Sequence, residues 1–133
     1  MISAIADTHT VIWYLYDDVR ISEKAKRLIE ATREQGNQIG ISSITLVEIV
    51  YLIEKGRINR EALTKLYSEL KDHQSVLREI PLTNRIVIDL IKIDRNSIPD
   101  MPDRIIAATG LHLDVPLISR DEKIKISQVE TIW

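Results

Sequence analysis

Ile2-Ser3-Ala4-Ile5-Ala6-Asp7-Thr8-His9-Thr10-Val11-Ile12-Trp13 opens the chain and carries its plainest structural signal. The apolar run Ile2 to Ala6 stops at an acid, which reads as a buried strand ending at Asp7. Thr8 to Tyr16 is too apolar for a loop and predicts a short helix behind that strand. The same alternation recurs along the chain. Ser22 caps a second helix, with Glu23 in its first turn, Leu28 and Ile29 on its inner side and Gly36 past its end. Gln38 to Ser42 predicts a second strand. A helix capped by Ser42 or Ser43 follows it to Lys55 and stops at Gly56. Asn59 caps a helix whose Leu63, Leu66, Tyr67 and Leu70 fall at i, i+3, i+4 and i+7. Val76 to Ile80 predicts a third strand ended by Pro81, and Thr83 caps a helix with Ile86, Val87, Leu90 and Ile91 on one side. Arg95 to Pro102 is polar and proline-bearing and reads as a loop. Beyond it come a helix, Arg104 to Leu113, a fourth strand, Val115 to Ser119, and a fifth, Val129 to Ile132.

Short apolar strands alternating with helices define βαβ units. The expected class is α/β, a three-layer α/β/α sandwich with a central, mostly parallel sheet. Pattern alone leaves the strand order open. No repeat, low-complexity segment or linker divides the chain, so residues 1–133 are expected to form a single domain, a size that buries a core unaided.

Hydrophobic residues make up 44% and charged residues 29% of the sequence, the balance of an ordinary soluble protein. No apolar run approaches the roughly 20 residues of a membrane span, and the N-terminus lacks the basic region of a signal peptide. There is no cysteine, which excludes disulfides, thiolate metal sites and cysteine nucleophiles. The expected location is the cytoplasm, without membrane contact. The formal charge of −2 and pI of about 5.9 are not those of a protein that grips nucleic acid by bulk charge. Any such role must rest on local basic patches, bound metal or a partner.

Four acids stand out by position. In open parallel sheets, sites form beyond the carboxyl ends of the strands. Asp7 directly follows strand one, and Asp121 follows strand four by two residues. Glu48 lies early in the helix leaving strand two, and Asp103 sits where the helix feeding strand four begins. The Glu48 helix is apolar nearly all round (Ile44, Leu46, Val47, Ile49, Val50, Tyr51, Leu52, Ile53), so it is expected to be buried, where an ionised carboxylate needs a partner or a cation. Each acid also has a purely structural reading: a helix cap for Asp7 and Asp103, a turn for Asp121, and a satisfied buried acid for Glu48. Together they suit a hard divalent cation with oxygen ligands, Mg²⁺ or Mn²⁺. Two such ions, roughly 3.5–4 Å apart, activate water and stabilise the leaving oxygen in phosphodiester cleavage.

At these residues the sequence resembles the PIN-domain family, in particular the VapC-like toxins of prokaryotic toxin–antitoxin pairs. The resemblance is carried by Ala6-Asp7-Thr8-His9-Thr10-Val11-Ile12-Trp13, Ser42-Ser43-Ile44-Thr45-Leu46-Val47-Glu48-Ile49, Pro102-Asp103-Arg104-Ile105-Ile106-Ala107-Ala108-Thr109 and Pro116-Leu117-Ile118-Ser119-Arg120-Asp121. It implies a parallel sheet of order 3-2-1-4-5 and a Mg²⁺- or Mn²⁺-dependent endoribonuclease held in check by a cognate antitoxin that covers its site. It also implies a homodimer. Asp7, Glu48 and Asp103 match the family's three core acids, and Asp121 its more variable fourth; all four are expected as catalytic residues and metal ligands, Asp7 and Asp103 first among them.

Three other functions compete. A Mg²⁺-binding phospho-receiver module shares the size and class, but it needs an acid pair after strand one, where only Asp7 stands. The second is a catalytically inactive PIN-type binding module, against which the presence of all four acids argues. A haloacid-dehalogenase-type phosphatase needs an acid at His9. The four glycines form neither a Gly-x-Gly-x-x-Gly nor a P-loop.

Arg104 and Arg120, each beside one of the acids, are lesser candidates for holding substrate phosphate; for Arg104 the alternative is pairing with Asp100 or Asp103. Thr8 and Ser43 are candidates for orienting a carboxylate, with capping as the alternative. His9 is expected to pack locally, and His73 and His112 to face helix C-termini. Trp13, Tyr14 and Tyr16 suit packing better than base stacking. Lys24, Lys26 and Arg27 are expected to form a solvated face. The apolar excess of the first and third helices suggests a self-association surface.

Overall fold

The computed structural model describes residues 1–125 and 129–133. Its elements run β1 (Ile2–Ala6), α1 (Thr8–Leu15), α2 (Glu23–Glu34), β2 (Gln38–Ser42), α3 (Ser43–Glu54), α4 (Glu61–Lys71), β3 (Leu77–Ile80) and α5 (Asn84–Asp89). A 3-10 turn (Leu90–Lys92) then leads to α6 (Met101–Leu113), β4 (Leu117–Ile118), α7 (Glu122–Lys125) and β5 (Thr131–Ile132). The five strands form one sheet of order β3-β2-β1-β4-β5, parallel throughout. The expected α/β sandwich and strand order are both seen.

Alternation along the strands divides the core. Ala4, Ala6, Ile39, Ile41 and Ile118 pack on one face with Val11, Trp13 and Ile12 of α1, Ile29 of α2 and Leu66 of α4. Ile5 and Leu117 point to the other face, where they meet Ile86 of α5 and Ile106, Ala107 and Ala108 of α6. A sheet covered on both faces is what parallel strands with apolar side chains on both sides require. Gly40 of β2 gives room to side chains of the two flanking strands: a Cβ there would lie 2.5 Å from Ile5 Cδ1 and 2.9 Å from Ile80 Cγ1.

Side-chain caps fix several helix starts. Ser22 Oγ accepts from Ala25 N at 3.0 Å and Ser42 Oγ from Ile44 N at 3.2 Å. Gly36 and Gly56, with φ of +74° and +70°, follow the ends of α2 and α3.

Strands β4 and β5 are shorter than the sequence reading and α7 has no counterpart in it; helices α3 to α6 depart from it in detail. Helix α6 starts at Met101, because Asp100 caps it and Pro102 is tolerated in a first turn that has no N–H partner to lose. Asn59 still accepts from Glu61 N at 2.9 Å, although Arg60 is the boundary residue of α4. Helix α3 is not buried all round: Val47 is 60% and Tyr51 54% exposed, while Ile49 is buried. The helix after Thr83 breaks into a 3-10 turn at Leu90, and Val87 and Ile91 face solvent; of the expected apolar side, Ile86 is buried and Leu90 partly so. Among the described residues no helix is long and apolar enough to cross a membrane.

Replacing Gly40 by Val should overpack the centre of the sheet and cost about 1–3 kcal/mol. Urea denaturation should show a lower midpoint with an unchanged slope; a midpoint equal to that of the parent would mean that Ile5 and Ile80 can move aside freely.

Candidate active site

The pairing of β1 with β4 builds the floor of a pocket. Ala6 lies opposite Ile118, and Asp7 N donates to the Ile118 carbonyl at 3.1 Å, so Asp7 and Ser119 leave the sheet side by side. Ser119 Oγ donates to Asp7 Oδ2 at 2.5 Å. Thr10 donates to Asp7 Oδ1 twice, from its backbone N at 3.0 Å and from its hydroxyl at 2.6 Å. Asp7, only 7% exposed, therefore caps α1 as its structural reading required. Thr10 and Ser119 went unremarked in the sequence, because a hydroxyl beside a strand end gives no signal until the partner strand is known.

The other acids arrive on separate elements. Glu48, one turn into α3, accepts a hydrogen bond from the Thr8 hydroxyl. Thr8 in turn lies 3.1 Å from the Thr45 hydroxyl, which must then be the donor. Asp103 stands in the first turn of α6. Asp121 follows β4: its backbone N donates to Ser119 Oγ at 3.0 Å and its Oδ1 accepts from Lys123 N at 2.8 Å. Asp7, Glu48, Asp103 and Asp121 line a single pocket of about 390 Å³ with Thr8, His9, Trp13, Arg20, Asp100 and Arg120.

Asp100 is a fifth acid in this pocket. Its Oδ1 accepts from Asp103 N at 3.1 Å as the cap of α6, so one helical turn delivers two carboxylates. The spacing Asp100-Met101-Pro102-Asp103 held that signal, but a polar loop beside proline reads first as a turn.

The crowding shows in proton affinity. Burial pushes the Asp103 carboxyl up to about 7, and the charges of Asp100, Asp121, Glu48 and Asp7 push the same way. Glu48 is also raised, first by burial and then by repulsion from Asp100 and Asp7, against the opposing effects of the Thr8 hydroxyl and His9.

Several lesser candidates have other partners. The Arg104 guanidinium turns away from Asp103 and donates to the carbonyls of Leu90 and Ile93 at 3.2 and 3.1 Å, with its Nε buried and unpartnered. It neither lines the pocket nor pairs with Asp100. Ser43 donates to Glu79 at 2.7 Å, away from the acids. Trp13 is buried, Tyr14 receives a hydrogen bond from Arg33, and Lys65 lies over the Tyr16 ring. His9 packs against Trp13 at the pocket wall. His112 Nδ1 lies 2.8 Å from Asp89 Oδ2, and Lys26 pairs with Asp17 at 3.0 Å.

The donor set, all carboxylate oxygen, suits a hard cation. Among the described residues no three His, Asp or Glu side chains already stand as a metal cage. That is compatible with Mg²⁺, which keeps several waters and takes only one or two carboxylates directly.

The chain matches the PIN domain family over residues 4–129 and belongs to that family. Among solved structures it is similar to VapBC2 from Rickettsia felis bound to a DNA fragment from their promoter, with 20% identity and a TM-score of 0.71, covering 98% of this chain and 97% of that one. It is also similar to a toxin–antitoxin complex from Klebsiella pneumoniae (23% identity, TM-score 0.68, 98% and 97% covered). A third is FitAcB from Neisseria gonorrhoeae (17% identity, TM-score 0.63, 96% and 95% covered). At these identities the likeness establishes the fold. A search of curated proteins finds no matching sequence.

Asp103 sets a pH dependence whose sign follows from its raised value. Its contribution to stability is fully present below the ordinary carboxylate value of 3.8, falls as the unfolded chain ionises, and is lost once pH passes about 7. In chelator, Asp103→Asn should therefore gain melting temperature relative to wild type between pH 5 and pH 7.5. A difference that stays flat across that range would show Asp103 ionised throughout.

Proposed function

We propose that this protein is a Mg²⁺- or Mn²⁺-dependent endoribonuclease, the toxin of a toxin–antitoxin pair acting in the cytoplasm. The observation that carries the reading is the convergence of five carboxylates, from four separate segments, on one pocket. Such a cluster is unfavourable when empty and is relieved by divalent cations. Asp7, Glu48, Asp103 and Asp121 would hold the metal, with Asp100 beside them. Once bound, metal supplies Lewis-acid stabilisation of the phosphoryl oxygens and a water of lowered pKa.

The rest falls to the chain. Thr10 and Ser119 fix the plane of the Asp7 carboxylate through both of its oxygens, and Thr8 orients Glu48. Glu48, its proton affinity raised by burial, would accept a proton from water held in the pocket. RNA as substrate rests on the family resemblance. The antitoxin partner is supported by a similar structure described as a toxin–antitoxin complex.

Purified protein should cleave single-stranded or structured RNA with Mg²⁺ or Mn²⁺, leaving 5′-phosphate and 3′-hydroxyl ends, and chelator should stop it. Asp7→Asn, Glu48→Gln and Asp103→Asn should each remove nearly all activity with the fold intact. Ser119→Ala, which frees one Asp7 oxygen, should cost about 10–100-fold in metal affinity or rate. Cleavage persisting in chelator, or full activity in Asp103→Asn, would overturn the mechanism. One observation favours a second reading, a binding module without catalysis: among the described residues no three acids stand together as a metal cage. That reading requires RNA binding with no cleavage in either metal.

A homodimer belongs to the same proposal, on a corrected surface. Val11, Ile12 and Trp13 of α1 are in the core, whereas Val47, Val50 and Tyr51 of α3 face solvent. Light scattering at micromolar concentration should give the mass of two chains, and Val47→Lys should shift it to one. A parent protein that is monomeric without its partner would dismiss the dimer.

A further inference from the structure

The acid pocket carries two cations, and they are held in different ways. Arg20, from the turn after α1, and Arg120, directly after β4, both line it. Both also lie over the Trp13 ring, with guanidinium carbons 5.2 and 4.7 Å from its centroid. Trp13 is a fixed platform, buried and packed against His9 and Trp133, with ring centroids 5.7 and 5.8 Å away. A guanidinium resting on an aromatic ring keeps its N–H donors free for an in-plane acceptor.

Arg20 is committed to an ion pair with Asp18. Its Nε reaches Asp18 Oδ1 at 3.0 Å and its Nη2 reaches Asp18 Oδ2 at 2.7 Å. Arg120 makes no ion pair among the described residues, although it is exposed and adjacent in sequence to Asp121. Asp121 turns instead to the backbone of Lys123. The structure therefore holds an uncommitted guanidinium fork at the edge of five carboxylates. Arg104, the other arginine beside a pocket acid, is occupied by backbone carbonyls.

A nucleic-acid strand needs such a group here. Cations among the acids can answer only the phosphate being cleaved. The neighbouring phosphates meet an acidic rim on a chain of net charge −2. We infer that Arg120, held over Trp13, forks onto the backbone phosphate next to the scissile one and so sets where the strand enters the pocket. Trp13 is the positioning residue that keeps Arg120 from collapsing onto Asp121. This deepens the ribonuclease reading and rests on it for the identity of the ligand.

The test is binding of a short fluorescein-labelled single-stranded RNA to the Asp103→Asn protein in Mg²⁺, followed by anisotropy across a salt series. Arg120→Gln should weaken binding by roughly tenfold, as loss of a charged hydrogen-bonded contact does. It should also flatten the slope of log affinity against log salt by about 0.7, the single-strand increment for one phosphate. Arg120→Lys keeps the charge and loses the fork, so the slope should return while affinity stays below that of the Arg120 protein. Trp13→Leu, where it folds, should lose the same slope increment, which a merely structural tryptophan would not alter. Unchanged affinity and slope in Arg120→Gln, or no RNA binding by the Asp103→Asn protein, would overturn the inference. Cleavage by the wild-type chain with KM indifferent to Arg120→Gln would leave the nuclease standing and remove only this role. Binding that depends on Arg120 without any cleavage would place the failure in the nuclease reading alone.

Discussion

Mutual repulsion among carboxylates at one edge of the sheet is the constraint to which the rest of the molecule answers. The acids are brought together by elements whose stability comes from elsewhere. Two apolar layers clamp the sheet from both faces, and burial of that extent outweighs the local electrostatic cost. Within the pocket the acids are steadied by neutral donors, the hydroxyls of Thr8, Thr10 and Ser119 and the backbone N–H groups of Thr10 and Asp103. Hydroxyls and amides do not titrate in the working range, so these contacts hold the carboxylates in place without neutralising them. An arginine at the same points would steady the acids equally well and leave nothing for a cation to do.

The handling of arginine follows the same logic. Arg104 is one residue from Asp103, yet successive residues of a helix point in different directions. Its guanidinium closes the carbonyl end of the 3-10 turn instead, joining α6 to the segment that precedes its own loop. The cation that adjacency suggested for phosphate therefore braces the helix that presents Asp100 and Asp103.

Strand and helix positions were legible because local signals agreed with one another. Ile2 to Ala6, Ser22, Gly36 and Gly56 each mark a boundary by a short-range mechanism that needs no knowledge of the tertiary fold. The strand order came from family resemblance and not from pattern. Convergence of Asp7, Glu48, Asp103 and Asp121 could be anticipated because carboxyl ends of parallel strands share one edge. Asp100 was read only as a possible partner of Arg104, because a capping acid looks the same whether or not it also faces a pocket. The exposure of Val47 and Tyr51 escaped because periodicity reports which residues share a face, not what that face meets. Arg120 and Trp13, far apart in sequence, become neighbours only when β4 lies beside β1.

That last pairing has a consequence for the order of events during synthesis. Asp7 emerges early, and its strand can pair with β2 and gather β3 while the rest of the chain is still unmade. Ser119, Arg120 and Asp121 come much later in the sequence, and β4 must then dock on the free side of a strand already formed. Until it does, Asp7 lacks one of its donors and the pocket lacks a wall. The acid pocket is therefore a late product of folding: it exists only once the strand that supplies Ser119 and leads to Asp121 has docked beside β1.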